Sequence, residues 1–164
     1  MTDLSYRKLK LKAKSYFNSA YQMQKQGKLK ESIYLYKCSL EILPTAEAYT
    51  YLGWAYSWNG EYEKAIEECK KAISLDPDYG NAYNDIGAYL ISLNRTEEAI
   101  PWLKRALKAK RYENYAYPYL NLGRIYEQKG HWSYALRYYR LSMEERPDYQ
   151  PAKTAYDKLH GRFN

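Results

Sequence analysis

The chain has 164 residues, a formal net charge of +7, and 22 tyrosines against two phenylalanines. That length suits one domain with a continuous core. No apolar run approaches the roughly 20 residues that span a bilayer, no early stretch carries the apolar block of a secretory signal, and Cys38 and Cys69 are too few for a disulfide framework or metal site.

In chain order, Leu9, Ala13, Tyr16 and Ala20 form one apolar stripe and predict a single long first helix, with Asp3 as its N-cap. Gly27 closes a polar turn, and a second helix carries Ser32 and stops before Pro44. In 47–58, Tyr49, Leu52, Ala55 and Tyr56 share a helical face; after Asn59-Gly60, so do Tyr62, Ala65, Ile66, Cys69, Ala72 and Ile73. Small residues at Gly53 and Ala65 let those two helices approach closely. Asp76-Pro77-Asp78 ends the second of them, because a residue before proline is pushed out of the α region. The next pair turns at Asn94, carries Arg111 where a proline would end it, and holds two extra residues within 108–115. A fourth pair turns at Gly130 and ends at Pro147. Residues 150–161, with Ala152, Ala155, Tyr156 and Leu159 on one side, predict a last helix that covers an open end.

These features move in step. Gly27, Gly60, Asn94 and Gly130 are 33, 34 and 36 residues apart; Ser32, Ala65, Ala99 and Ala135 each lie five residues later. Leu52-Gly53, Ile86-Gly87 and Leu122-Gly123 recur, with Tyr56, Leu90 and Tyr126 three residues on. The pattern resembles the tetratricopeptide repeat: aromatic, x2, Leu-Gly, x2, Tyr, then Ala, x3, aromatic, then Pro. The resemblance covers about four fifths of the chain. It implies repeats at 13–45, 46–79, 80–115 and 116–149 and a capping helix at 150–161, all in one domain over 1–164. The implied fold is all-α: a right-handed superhelical α-solenoid of nine helices, four antiparallel pairs and one single helix. No pair buries its apolar face alone, so the array is the folding unit.

Charge is unevenly laid down. Residues 1–40 hold nine basic against two acidic residues, 41–100 four against eleven, and 101–164 thirteen against six. Either these are solvated helix faces, or the stripe orients a partner with matching charge. Acidic neighbours such as Glu67-Glu68, Glu97-Glu98 and Glu144-Glu145 point apart on their helices and read as solvated.

Enzyme signatures are missing. His131 and His160 occupy a turn and the chain end, and no phosphate loop or nucleophile elbow has its glycines. We therefore expect no catalytic residues, no metal and no cofactor. The address we expect is cytosolic, with both thiols free and buried.

In the family the inner face of each pair's first helix lines a concave groove. The resemblance places Phe17, Tyr21, Trp54, Trp58, Asn84, Ala88, Tyr117, Asn121 and Arg124 there. Trp54 and Trp58 lie one turn apart and share a face. They either pack under the first helix or form an exposed platform, tryptophan being enriched at binding hot spots. Asn84 and Asn121 are candidates to bond a ligand's amides, and Arg124 a carbonyl or acid further along the same groove. The family's clamp for a C-terminal carboxylate is excluded: its places hold residues such as Phe17, Tyr51, Asp85 and Asn121, with no lysine or arginine.

The function expected is a non-enzymatic adaptor holding a peptide segment of another protein. Two alternatives stand: a small chaperone of the type III secretion kind, which usually has three repeats, and an RNA-binding helical repeat protein. The acidic middle would cut any continuous phosphate track in two.

Overall fold

The computed structural model describes residues 3–163. Among them are nine helices: α1 (Asp3–Lys25), α2 (Leu29–Ile42), α3 (Ala46–Trp58), α4 (Tyr62–Leu75), α5 (Gly80–Ser92), α6 (Thr96–Ala106), α7 (Ala116–Gln128), α8 (Trp132–Glu145) and α9 (Gln150–His160). The described residues form no strand. Consecutive helices pack as antiparallel pairs, α1 with α2 through α7 with α8, and α9 closes on α8. The stack is a right-handed superhelical solenoid.

The four turns inside pairs are one motif. Gly27, Gly60 and Gly130 have φ of 74°, 77° and 73°, and Asn94 has φ of 59°. At the second turn Glu61 N donates to Tyr56 O at 2.9 Å and Gly60 N to Ser57 O at 3.0 Å, a Schellman closure. Arg95 N to Leu90 O (2.8 Å) and Asn94 N to Ile91 O (2.9 Å) repeat it. Asparagine, which tolerates the left-handed region, can therefore stand in for glycine.

Within a pair, small residues set the spacing. A Cβ added at Gly53 would lie 2.9 Å from the Ala65 carbonyl oxygen, and one at Gly123 2.4 Å from Cε1 of Tyr139. Ala65, Ala99 and Ala135 are fully buried, as is Ser32 in the first pair. Ser39 Oγ donates to Ala13 O at 2.8 Å, and 103 residues later Ser142 Oγ donates to Ala116 O at 2.7 Å. Each hydroxyl ties the second helix of its pair to the first.

Three sequence expectations change. Asp3 lies in the first turn of α1 and bridges Arg7 at 2.9 Å, one turn on, in place of capping. Cys69 is buried but Cys38 only half-buried. Glu67 is exposed, but the Glu68 side chain is largely covered, and its inner oxygen has no hydrogen-bond partner while the outer one meets Lys71 at 2.9 Å.

The extra residues of 108–115 fold back on the preceding pair. Arg111 N donates to Asp78 O at 2.9 Å and Gly80 N to Arg111 O at 3.1 Å, the parallel bridge between Tyr79 and Arg111. The Arg111 guanidinium lies 4.9 Å from the Tyr79 ring centroid and pairs with Glu47 and Asp76. Tyr112 then rests on Gly80, where any Cβ would fall 2.3 Å from its own.

Candidate functional site: an aromatic groove with one carboxyl

A groove of about 640 Å³ opens between the second and third helix pairs. Its walls are Tyr51, Trp54 and Trp58 on α3, Asn84, Asp85, Ala88 and Tyr89 on α5, Tyr112 on the folded-back loop, and Tyr117 on α7. Helical spacing explains the first wall: positions 51, 54 and 58 follow at i, i+3 and i+7 on one face of α3.

Exposure decides between the two readings of the tryptophans. Trp54 is 36% and Trp58 49% exposed, so neither is packed away under α1. They meet edge to face at 5.3 Å, and Tyr51 meets Trp54 the same way at 5.7 Å. Behind Tyr51 stand Phe17 at 5.0 Å and Tyr21 at 5.7 Å. Edge-to-face pairs stabilise beyond their buried area, and the ladder holds the indoles at fixed angles.

Phe17 and Tyr21 do not line the groove; they buttress Tyr51 from α1, Phe17 also against buried Tyr36 at 5.4 Å. Asn84 is buried, accepts from Asn121 Nδ2 at 3.3 Å and donates to Asp85 Oδ1 at 3.3 Å. The two asparagines thus link α5 to α7; Asn84 lines the groove, and Asn121 is not part of its lining. Tyr117 accepts from Arg146 Nη1 at 3.2 Å and packs edge to face on Tyr149 at 5.2 Å. Arg124 is exposed and lines a separate hollow with Ile91, Glu127, Gln128, Trp132 and Arg162. Its hollow is not the one lined by Ala88, but Ile91, which borders it, follows Ala88 by three residues on α5.

The feature that sequence reasoning passed over is Asp85. It is the single charged side chain of the lining; no lysine or arginine joins it. It is half-buried, with one face on the groove and the rest against protein. That surround decides its chemistry: burial pushes its carboxyl up to about 7, with the Asn84 hydrogen bond pulling weakly the other way. The nearby Tyr51, Tyr89 and Tyr112 hydroxyls are pushed up, first by burial and next by neighbouring groups that include Asp85. The Tyr89 hydroxyl is buried and closes no hydrogen bond of normal length, Ser57 being the polar group that acts on it. Asp85 had a signal in the sequence, since it follows Asn81 by one turn on the same face. Tyr112 had none, because a loop has no period.

Among the described residues no three His, Cys, Asp or Glu side chains are grouped to hold a metal ion. No helix among them is long and apolar enough to cross a membrane.

Family models described as tetratricopeptide repeat match residues 46–79, 68–100 and 119–152. Tetratricopeptide repeat protein 29 of Macaca fascicularis is 34% identical over 108 residues, which are 60% of this chain and 23% of that protein. The chain spans less than a quarter of the length of the curated relatives it matches. Among solved structures, Pseudomonas aeruginosa PilF superposes with a TM-score of 0.85 at 21% identity, over 96% of this chain and 70% of that one. YrrB, described as a TPR protein with an unusual peptide-binding site, superposes with a TM-score of 0.66 at 23% identity, over 90% and 75%. At those identities the likeness is one of fold.

Proposed function

This chain belongs to the tetratricopeptide repeat family, and on that premise we propose that it is a non-enzymatic adaptor that binds a peptide segment of another protein in the groove between its second and third helix pairs. The observation that carries this reading is the pair of part-exposed indoles, Trp54 and Trp58, held edge to face over a cavity large enough for several side chains. Burying such rings supplies about 200 Å² of contact each. Tryptophan in a pocket that excludes water is the usual anchor of an interface. The likeness to a structure described by its peptide-binding site agrees with a groove ligand.

Asn84 and Asn121 join the site through their mutual bond, which leaves further amide positions to meet a peptide backbone. Ala88 keeps the floor low, and Tyr117 closes the far wall. Phe17 and Tyr21 act behind Tyr51, and Arg124 belongs to the neighbouring hollow as a rim contact for a longer segment. An RNA ligand finds little here, since a phosphate backbone needs lysine or arginine along its path and the lining offers neither. The test is capture by the full chain beside a Trp54→Ala/Trp58→Ala variant, followed by tiling each captured protein as short peptides. A short linear segment that binds the wild type and not the variant is the expected result. Equal capture by both would remove the groove from the account.

A further inference from the structure

We infer that the groove selects a partner segment by a basic side chain, lysine or arginine, seated on Asp85 and walled by Tyr51, Trp54, Tyr89 and Tyr112. This rests on the peptide-groove reading above and names the chemistry of its occupant. Three observations converge on it. First, Asp85 is the only ionisable carboxyl in the lining, and it has no ion-pair partner among the described residues. Nine of the eleven acidic residues in 41–100 do have one. The other exception, Glu41, is exposed to solvent.

Second, the walls suit a cation. Aromatic faces attract ammonium and guanidinium groups, more so where water is thinned out, and the lysine or arginine stem has apolar surface to cover. Third, acceptors are available at depth. The Asp85 carboxyl holds one hydrogen bond from Asn84, which leaves acceptor sites vacant, and the Tyr89 hydroxyl is buried without a closed bond. An acidic or carboxylate-ended segment would meet Asp85 as a like charge. A purely apolar one would cover that carboxyl's vacant acceptor sites and that hydroxyl without giving either a new partner.

The titratable groups that face Asp85 are Tyr51 from α3, Cys69 from α4, Tyr89 from its own helix, Tyr79 and Tyr112 from the segments beside it, and Tyr117 from α7. All are phenols or a thiol. Burial raises the pKa of Cys69 and of the first four tyrosines named, so the carboxyl is the group there that changes charge between pH 5 and 8.

The experiment uses the full chain and a positional-scanning library of N-acetylated, C-amidated dodecapeptides, so that neither terminus supplies a charge. Wild type should prefer lysine or arginine to norleucine at one position by about tenfold or more, in the range of measured couplings between close interface charges. Asp85→Asn should flatten that preference, read as the ratio of lysine to norleucine affinities within the same variant. Trp54→Ala should weaken every binder. On the wild type alone, the preference should shrink as pH falls from 8 to 5 and the carboxyl takes up its proton. A preference for apolar or acidic residues at every position, or a basic preference untouched by both Asp85→Asn and low pH, overturns the inference and leaves the groove reading standing. Binding indifferent to Trp54→Ala, or no binding from the library, overturns the groove reading and the inference with it.

Discussion

The groove and the outer face of the same two helix pairs handle charge in opposite ways. On the outside, Arg95 bridges Glu63 at 2.8 Å and Glu98 at 2.7 Å; Lys71 meets Glu68 at 2.9 Å, Lys70 meets Glu67 at 3.2 Å, and Lys129 pairs with Glu97 across to the next repeat. The acidic middle of the sequence is thus largely matched by its own lysines and arginine and by basic residues of the following segment. It is not a bare acidic stripe. Within the groove one carboxyl stands without a cation, in a setting that raises its proton affinity. Matched surface charges contribute little and are screened by salt. An unmatched one under aromatic cover is costly to keep ionised and available to a ligand. Charge that looks alike in composition therefore does different things according to what faces it.

The largest expected effect lies in the seam between the two faces. Ala65 is fully buried against the backbone that passes Gly53, and Ala99 is its counterpart in the third pair. Ala65→Trp and Ala99→Trp should each destabilise by about 1–3 kcal/mol or more. For a chain of this size each kcal/mol lowers the melting temperature by about 2–4 °C. A melt within a degree or two of wild type would show that the two faces are not held apart by this contact.

Trp54→Ala comes next and should act on the groove alone. Binding of a groove peptide should weaken by about 2 kcal/mol, the usual mark of a hot spot, with the melting temperature little changed because the ring is part-exposed. Calorimetric titration beside a thermal scan separates the two. Unfolding of the array would make the indole a packing residue.

Asp85→Asn should sharpen the comparison through pH. An acid whose pKa is raised by folding holds its proton more tightly folded than unfolded. Stability that depends on it is therefore lost as pH climbs from the ordinary aspartate value of 3.8 towards about 7, and is level above that. The asparagine variant should melt above wild type at pH 8, and the gap should close towards pH 4. A gap that is constant with pH would mean that the carboxyl is not ionising in the groove.

The smallest effect belongs to the outer face. Arg95→Ala removes two exposed ion pairs, and the melting temperature should hardly move, least of all in high salt. A large loss there would mean that the pairs on the back are structural, and the contrast with the groove would fail.

Periodicity alone determined the helices, the positions of their turns and the identity of the close-contact residues. Gly53, Ala65, Gly60 and Asn94 could be read as they stand, because each answers a local need that recurs at a fixed interval: a near approach or a left-handed turn. Periodicity also put Trp54 and Trp58 on one face of α3. It could not say which side of the stack that face meets, since exposure depends on where α1 crosses. The long first helix, read correctly in extent, brings Phe17 and Tyr21 behind Tyr51 in place of covering the indoles. Tertiary structure also decided the site's composition. Tyr112 reaches the groove only because the loop after α6 folds back onto Asp78 and Gly80 through hydrogen bonds no sequence period encodes. Arg124 lines the neighbouring hollow with Ile91 and Gln128 instead. Asp85 was visible as a letter on the correct helical face, but its raised proton affinity comes from the atoms packed around it. Those come from α3, α4, α5 and the loop together, which is a property of the assembled array and of no repeat by itself.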